Sequence, residues 1–169
     1  MPETRSDSDA KAKVWEMIRD VKVAVLVTNG ADGHLHGRPM VAVQDEPFND
    51  TLWFFTPAEG GVADEIGSDP QLLLSYSNPS SQDYVSVAGK GEIVRDAAMQ
   101  KKLWSEGMRT WFPKGAEDPG LALLKVTVEG AEYWDAPSST MVYAYGYLKA
   151  RLTGEPPHPG EVAKVDFRR

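Results

Sequence analysis

The chain has no cysteine among its 169 residues. That absence excludes a disulfide framework, a thiolate metal site and a cysteine nucleophile, and it fits a reducing compartment. Long apolar runs are missing too: the longest, residues 23–27, is far short of the roughly 20 residues that span a bilayer. No membrane partner is expected. The first residues are polar and include Asp7 and Asp9, unlike the basic start and apolar run of a secretory signal, so the expected location is the cytoplasm. Positive charge is scarce. With 18 Lys and Arg against 25 Asp and Glu, the formal charge is -7 and the pI about 5.0. Nucleic acid is therefore not an expected partner, because phosphate-backbone binding needs clustered cations.

What is present suffices for one domain, since a chain of this length buries roughly two-thirds of its unfolded surface. The expected organisation is a single domain over residues 1–169, with a core from about 10 to 136 and a C-terminal helix and irregular tail over 138–169. No internal repeat interrupts it. Val14, Met17, Ile18 and Val21 recur at helical spacing behind Ser8 or Asp9 as cap, which predicts a helix over 10–20. Residues 22–29 are valine-rich and are followed by Asn29-Gly30 and Asp32-Gly33, dipeptides that favour tight hairpin turns. The return strand, 34–44, carries Pro39, which cannot donate to a ladder and so marks an edge or a bulge. Further strands are expected over 51–56, 71–77, 84–94 and 121–134, the last broken near Glu129-Gly130. Short helices are expected over 62–67 and, capped by Asp96, over 97–108. So many strands joined by hairpin-type turns favour a closed antiparallel barrel over a parallel sheet, which needs a crossover helix between most neighbours.

Two segments on neighbouring strands draw chemical attention: Arg38-Pro39-Met40, and Trp53-Phe54-Phe55-Thr56. Together they offer a cation, a hydroxyl and a row of aromatics, which suit a ligand with an anionic group at one end and a flat ring at the other. Plainer readings stand beside this one. Aromatics on barrel strands usually fill the core, Arg38 can instead pair with Asp45 or Glu46 on the surface, and Thr56 before Pro57 can simply end a strand. His34 and His36 share a strand face as a metal site requires, but no recognised ligand spacing completes them, so a solvated hairpin end is the preferred reading. Asp64 and Glu65 read as favourable charges in the first turn of a helix.

Arg38-Pro39-Met40, Trp53-Phe54-Phe55-Thr56, Tyr84-Val85-Ser86-Val87 and Trp111-Phe112-Pro113 follow a helix, a valine-rich strand and an Asp-Gly turn. In that order they resemble the general stress protein 26 group of the pyridoxamine 5'-phosphate oxidase-like flavoproteins, over about residues 14–134. The resemblance implies a mainly β fold with peripheral α-helices, a six-stranded antiparallel split β-barrel. It also implies FMN as cofactor and a homodimer with the flavin site at the subunit interface. By the same resemblance Arg38 neutralises the FMN phosphate, and backbone groups of Arg38, Pro39, Met40 and Val41 face the isoalloxazine ring. Phe55 lines the ring and Thr56 donates a hydroxyl to the phosphate. Helix N-terminal amides around Gly60, Gly61 and Val62 add donors. Tyr84 contacts the ring, Trp111 closes the site from the other subunit, and Trp134 matches a tryptophan of the oxidase's C-terminal motif.

The chain departs from the group at two places. Gly60-Gly61-Val62 stands where its members commonly read Ser-Pro-Lys, so one phosphate cation is missing. Asp135-Ala136-Pro137-Ser138-Ser139 replaces the Arg- and His-rich tail with which the true oxidase grips pyridoxal phosphate, so vitamin B6 oxidation is not expected. The function these residues imply is an FMN-dependent oxidoreductase of stress-response type and unstated substrate. A non-enzymatic flavin carrier, a cofactor-free dimeric binding module, and binding of deazaflavin F420 or haem stand as alternatives. The acidic chain disfavours the polyglutamate tail of F420.

Overall fold

A computed structural model describes residues 3–6, 8–44, 49–135, 140–154 and 161–168. In chain order the elements are β1 (Glu3–Arg5), α1 (Ser8–Arg19), β2 (Val23–Asn29), β3 (Leu35–Val41), β4 (Thr51–Pro57), α2 (Gly61–Ser68), β5 (Gln71–Asn78) and β6 (Asp83–Val94). They continue with α3 (Ala97–Leu103), a 3-10 turn (Glu106–Thr110), β7 (Leu121–Asp135), α4 (Thr140–Thr153) and β8 (Glu161–Asp166). Apolar residues at every second position build the wall. In β2, Ala24, Leu26 and Thr28 are buried while Val23 and Val25 face out; in β5, Leu72, Leu74 and Tyr76 are buried while Leu73 and Ser75 face out.

β2 pairs antiparallel with β3 and β5, β5 with β6, β6 with β7, and β7 with β4. The circle closes from β4 to β3 through one isolated bridge, Ala42 to Phe54. Six strands therefore form the split antiparallel barrel that the hairpin turns and the resemblance imply. β7 is 15 residues long and serves both ends of the sheet: residues 121–127 pair with β4, and residues 130–135 pair with β8. β8 in turn carries β1 in parallel. Where β7 changes partner, its register with β6 shifts between Ala88 and Gly89. A Cβ on Gly89 would lie 2.4 Å from the Thr127 carbonyl oxygen, so only glycine passes the bulge.

The interior holds Leu26, Leu52, Phe54, Leu74, Val87 and Leu124, capped at one end by Val14 and Ile18 of α1. On the other face of β4 a second, smaller cluster packs Phe55, Leu121 and Leu123 under Met108 of the 3-10 turn. Asp96 caps α3 by accepting the Met99 amide at 3.0 Å.

The structure departs from the sequence expectations at two elements. The helix expected over 97–108 ends at Leu103, where Trp104 turns extended and lays its ring edge-on to Phe55 at 5.6 Å. Within 138–169, the expected C-terminal helix is present as α4, but the tail behind it, expected to be irregular, contains strand β8, because Ala163, Val165 and Phe167 alternate and bury against the second half of β7. Tyr133 on β7 donates to Glu161 Oε1 at 2.5 Å, and Arg5 on β1 reaches the same oxygen at 3.4 Å. Residues 136–139 and 155–160 lie outside the described residues.

Candidate functional site

β3 has one paired edge and one nearly free edge. It hydrogen-bonds to β2 along residues 35–41, but meets β4 just past its end, where Ala42 bridges Phe54 and the Val43 N–H donates to the Trp53 carbonyl at 3.2 Å. An edge strand turns alternate backbone N–H and C=O groups away from its partner. Peptide groups of the Arg38–Val41 stretch consequently point into the split. Pro39, without an N–H, is tolerated here for that reason.

Side chains of β3 divide between its two faces. Arg38 and Met40 turn inward, and Met40 packs against the main core. Pro39 and Val41 turn outward. In register, Val41 lies opposite Val23, and extension of the Val25–Ser75 pairing brings Val23 level with Ser77, which pairs with Tyr84, which pairs with Trp134. Val41, Tyr84 and Trp134 thus sit on one level of the outer sheet face. Tyr84 is 44% and Trp134 36% exposed. With Val23, Val25, Leu35 and Leu73, all exposed, they make an apolar face on β2, β3 and β5 ending in aromatics.

At the α2 end the chemistry is ionic. Arg38 donates from one terminal nitrogen to the Thr28 hydroxyl and from the other to Glu65 Oε2 at 2.7 Å. Thr28 in turn donates to Glu65 Oε2, and His36 Nδ1 meets Glu65 Oε1 at 2.5 Å. The second imidazole nitrogen lies 3.1 Å from Asp32 Oδ2. The Thr28 hydroxyl, followed by His36 and Arg38, holds the Glu65 carboxyl down at about 2, and Glu65 followed by Asp32 pushes His36 above its ordinary value. Asp64 does stand in the first turn of α2, as expected, whereas Glu65 lies farther along and belongs to Arg38. His34 is exposed, and among the described residues no group of His, Asp and Glu is arranged to hold a metal ion. Asp45 and Glu46, the partners weighed for Arg38, lie outside the described residues.

Phe55 is 4% exposed, packed between Trp104 and Phe112. Thr56 is buried beside it. Gly60 and Gly61 carry positive φ values of 75 and 44 and expose bare amides at the start of α2, while Val62 packs its side chain against the core. Trp111 follows the 3-10 turn and is 69% exposed, touching none of the other candidate residues closely enough for a ring contact. One chain therefore brings together Val41, Tyr84 and Trp134, and separately Arg38 with α2, and leaves Trp111 projecting.

Two features escape the sequence reading. The first is the Thr28–His36–Arg38–Glu65 cluster, whose strand half was detectable: His36 and Arg38 are two apart on one strand face, and Thr28 is the cross-strand partner of His36. The second is a cavity of about 770 Å3 beside Val41, walled by Trp15, Trp53, Tyr76, Trp104 and Lys125 among others. That volume is of the size that takes a drug-sized ring system. The Tyr76 hydroxyl is buried with no partner among the described residues, and burial pushes its pKa up.

These residues fit the two ends of FMN unequally. Free peptide edges, an apolar face and a ring-sized cavity suit an isoalloxazine. The phosphate end does not fit: Arg38 is already matched by Glu65, Arg95 beside the helix start is matched by Glu59, and Gly60 and Gly61 themselves offer only amides.

A family model described as pyridoxamine 5'-phosphate oxidase like matches residues 9–158. General stress protein 26 of Bacillus subtilis is 34% identical over 142 residues, covering 81% of this chain and 96% of that protein. A crystal structure from Jannaschia sp. CCS1, described as a general stress protein 26, superposes with a TM-score of 0.73 at 27% identity, over 95% of this chain and 99% of the other. A general stress FMN/FAD binding protein from Xanthomonas citri gives 0.68 at 27% identity, over 79% and 93%.

Proposed function

Because the chain belongs to the pyridoxamine 5'-phosphate oxidase-like family, we propose that it is a cytosolic flavin-binding protein that works as a flavin-dependent oxidoreductase of stress-response type. The observation that carries this reading is the free edge of β3 beside a ring-sized cavity. Peptide groups aimed into the split match the alternating donors and acceptors along the polar edge of an isoalloxazine. FMN is the flavin that the family resemblance implies, and one structural relative is described as FMN/FAD binding. Held there, it supplies the redox chemistry, while the chain binds, orients and keeps water from the ring. Arg38 to Val41, Phe55, Thr56, Gly60 to Val62, Tyr84, Trp111 and Trp134 remain the residues assigned to it. Tyr84 and Trp134 on the outer face, and a projecting Trp111, suit a site completed by a second copy of the chain.

Binding is tested by titrating the protein with FMN and following flavin fluorescence. Quenching with an affinity in the micromolar range or tighter is expected; an affinity no better than millimolar sinks the proposal. A flavin carrier without turnover is the competing reading, favoured by the mismatch at the phosphate end. Oxidation of NADH or NADPH by the flavin-loaded protein, well above the rate of free FMN, excludes the carrier.

A further inference from the structure

Arg38 is the cation that β3 offers to a phosphate, and the chain has supplied its own anion to it; Arg95, beside the start of α2, is likewise matched by Glu59 at 3.7 Å. Glu65 Oε2 takes both the Arg38 guanidinium, at 2.7 Å, and the Thr28 hydroxyl, while Oε1 takes His36. The Glu65 side chain is 13% exposed. Its helix is pinned by Ile66, buried in the main core, so the carboxylate is not free to swing away. Asp32 adds a second negative charge on the far side of His36. Counting Arg38, Glu65 and Asp32, the cluster carries one positive and two negative charges, which a protonated His36 only balances. At the neighbouring helix start, Val62 contributes packing and Gly60 and Gly61 contribute neutral amides.

A phosphate dianion approaching this corner must either displace a carboxylate held by three donors or settle beside it against like charge. A charge-assisted contact is worth roughly 10- to 100-fold in affinity, and here that contact is already made within the protein. An isoalloxazine with its uncharged ribityl chain meets no such competitor, because the β3 peptide groups and the outer-face side chains Val23, Val25, Leu35, Val41 and Leu73 carry no charge. Resting on the flavin reading above, we propose that this barrel recognises its flavin by the ring and not by the phosphate, with Glu65 as the residue that sets this selectivity, so that dephosphorylated riboflavin is bound as well as FMN.

The test compares riboflavin and FMN, titrated separately into the wild-type protein, Glu65→Gln and Val62→Lys, by flavin fluorescence at low salt. Circular dichroism on each variant checks folding. For the wild type the two dissociation constants are expected within about threefold of each other, less than the tenfold that a single 1.4 kcal/mol contact gives. Glu65→Gln frees Arg38 and keeps the shape of the side chain, so FMN is expected to tighten by about tenfold or more while riboflavin stays within about twofold. Val62→Lys is expected to shift the preference toward FMN in the same direction, and serves alone should Glu65→Gln fold poorly. Wild-type protein that prefers FMN tenfold or more overturns the inference and leaves the flavin reading standing. So does a Glu65→Gln variant whose FMN affinity falls. Binding of neither flavin overturns both.

Discussion

Glu65 is held charged by three donors, and the direction of its shift fixes how it acts on stability. Its carboxyl is lowered from an ordinary 4.5 to about 2, first by the Thr28 hydroxyl. A lowered pKa means that the folded state favours the carboxylate, so this contribution is complete above about 4.5 and is lost as pH falls toward 2. His36 moves the other way. It is raised from 6.5, chiefly by Glu65, so its contribution is complete below 6.5 and fades as pH rises through the raised value. The melting temperature of the wild type is therefore expected to drop between pH 4.5 and 2 more steeply than that of Glu65→Gln; parallel curves would show that the carboxylate adds nothing. Gly89 makes a second prediction at this scale. Alanine there brings a Cβ against the Thr127 carbonyl, and urea midpoints are expected to report a loss of about 1–3 kcal/mol. Arg38 was legible in the sequence as a cation in need of an anion. Its partner was not, because a carboxylate 27 positions away on a separate helix leaves no local spacing to read.

Among the elements, β7 organises the rest. Its first half pairs with β4 and its second with β8, while β6 runs along both. The outer pair, β8 and β1, hangs on the second half through the Tyr133–Glu161–Arg5 chain of contacts. Burial, then Glu161, pushes the Tyr133 phenol up to about 12, so the hydroxyl keeps its proton and donates throughout the physiological range. Tyr133→Phe removes that donor to a charged acceptor at a cost of about 1.5–3 kcal/mol. Amide exchange is expected to quicken first in β8 and β1, with β6 and the first half of β7 little changed; uniform quickening would mean that the pair is no separate unit. Period-two alternation made β2, β5 and the first half of β6 readable, since each buries one face, whereas β4 and β7 bury residues on both faces and were readable from their run of aromatic and branched apolar residues. β8 was missed because six residues with two buried positions, beyond a proline-rich stretch, carry too little pattern to stand out. The end of α3 was missed because Trp104 continues the apolar periodicity while its backbone turns extended to reach Phe55.

For the whole molecule, the outer face of β2, β3 and β5 is the least settled surface. Val23, Val25, Leu35 and Leu73 stand exposed together, on a chain whose charge of -7 otherwise keeps copies apart. A homodimer that covers this face accounts for both observations. Val25→Glu is expected to lower the sedimenting mass from twice 18.6 kDa to that of one chain, whereas wild-type protein that already sediments as a monomer rules the dimer out. Composition and strand pattern made the fold legible, but the pairing of copies was implied only by resemblance, because exposed valines on a strand look the same to a sequence whether or not anything covers them. The single Ala42–Phe54 bridge has a mechanical consequence. Backed by the Val43 amide on the Trp53 carbonyl and by the Gln44 side chain on Thr51 and Trp53, it forms one short clasp, and a hoop so fastened opens there first. A ring seated against the β3 edge would act as a second fastener, and the Val43 amide, which bonds to the Trp53 carbonyl across the closure at 3.2 Å, is the natural gauge of how firmly the hoop is shut.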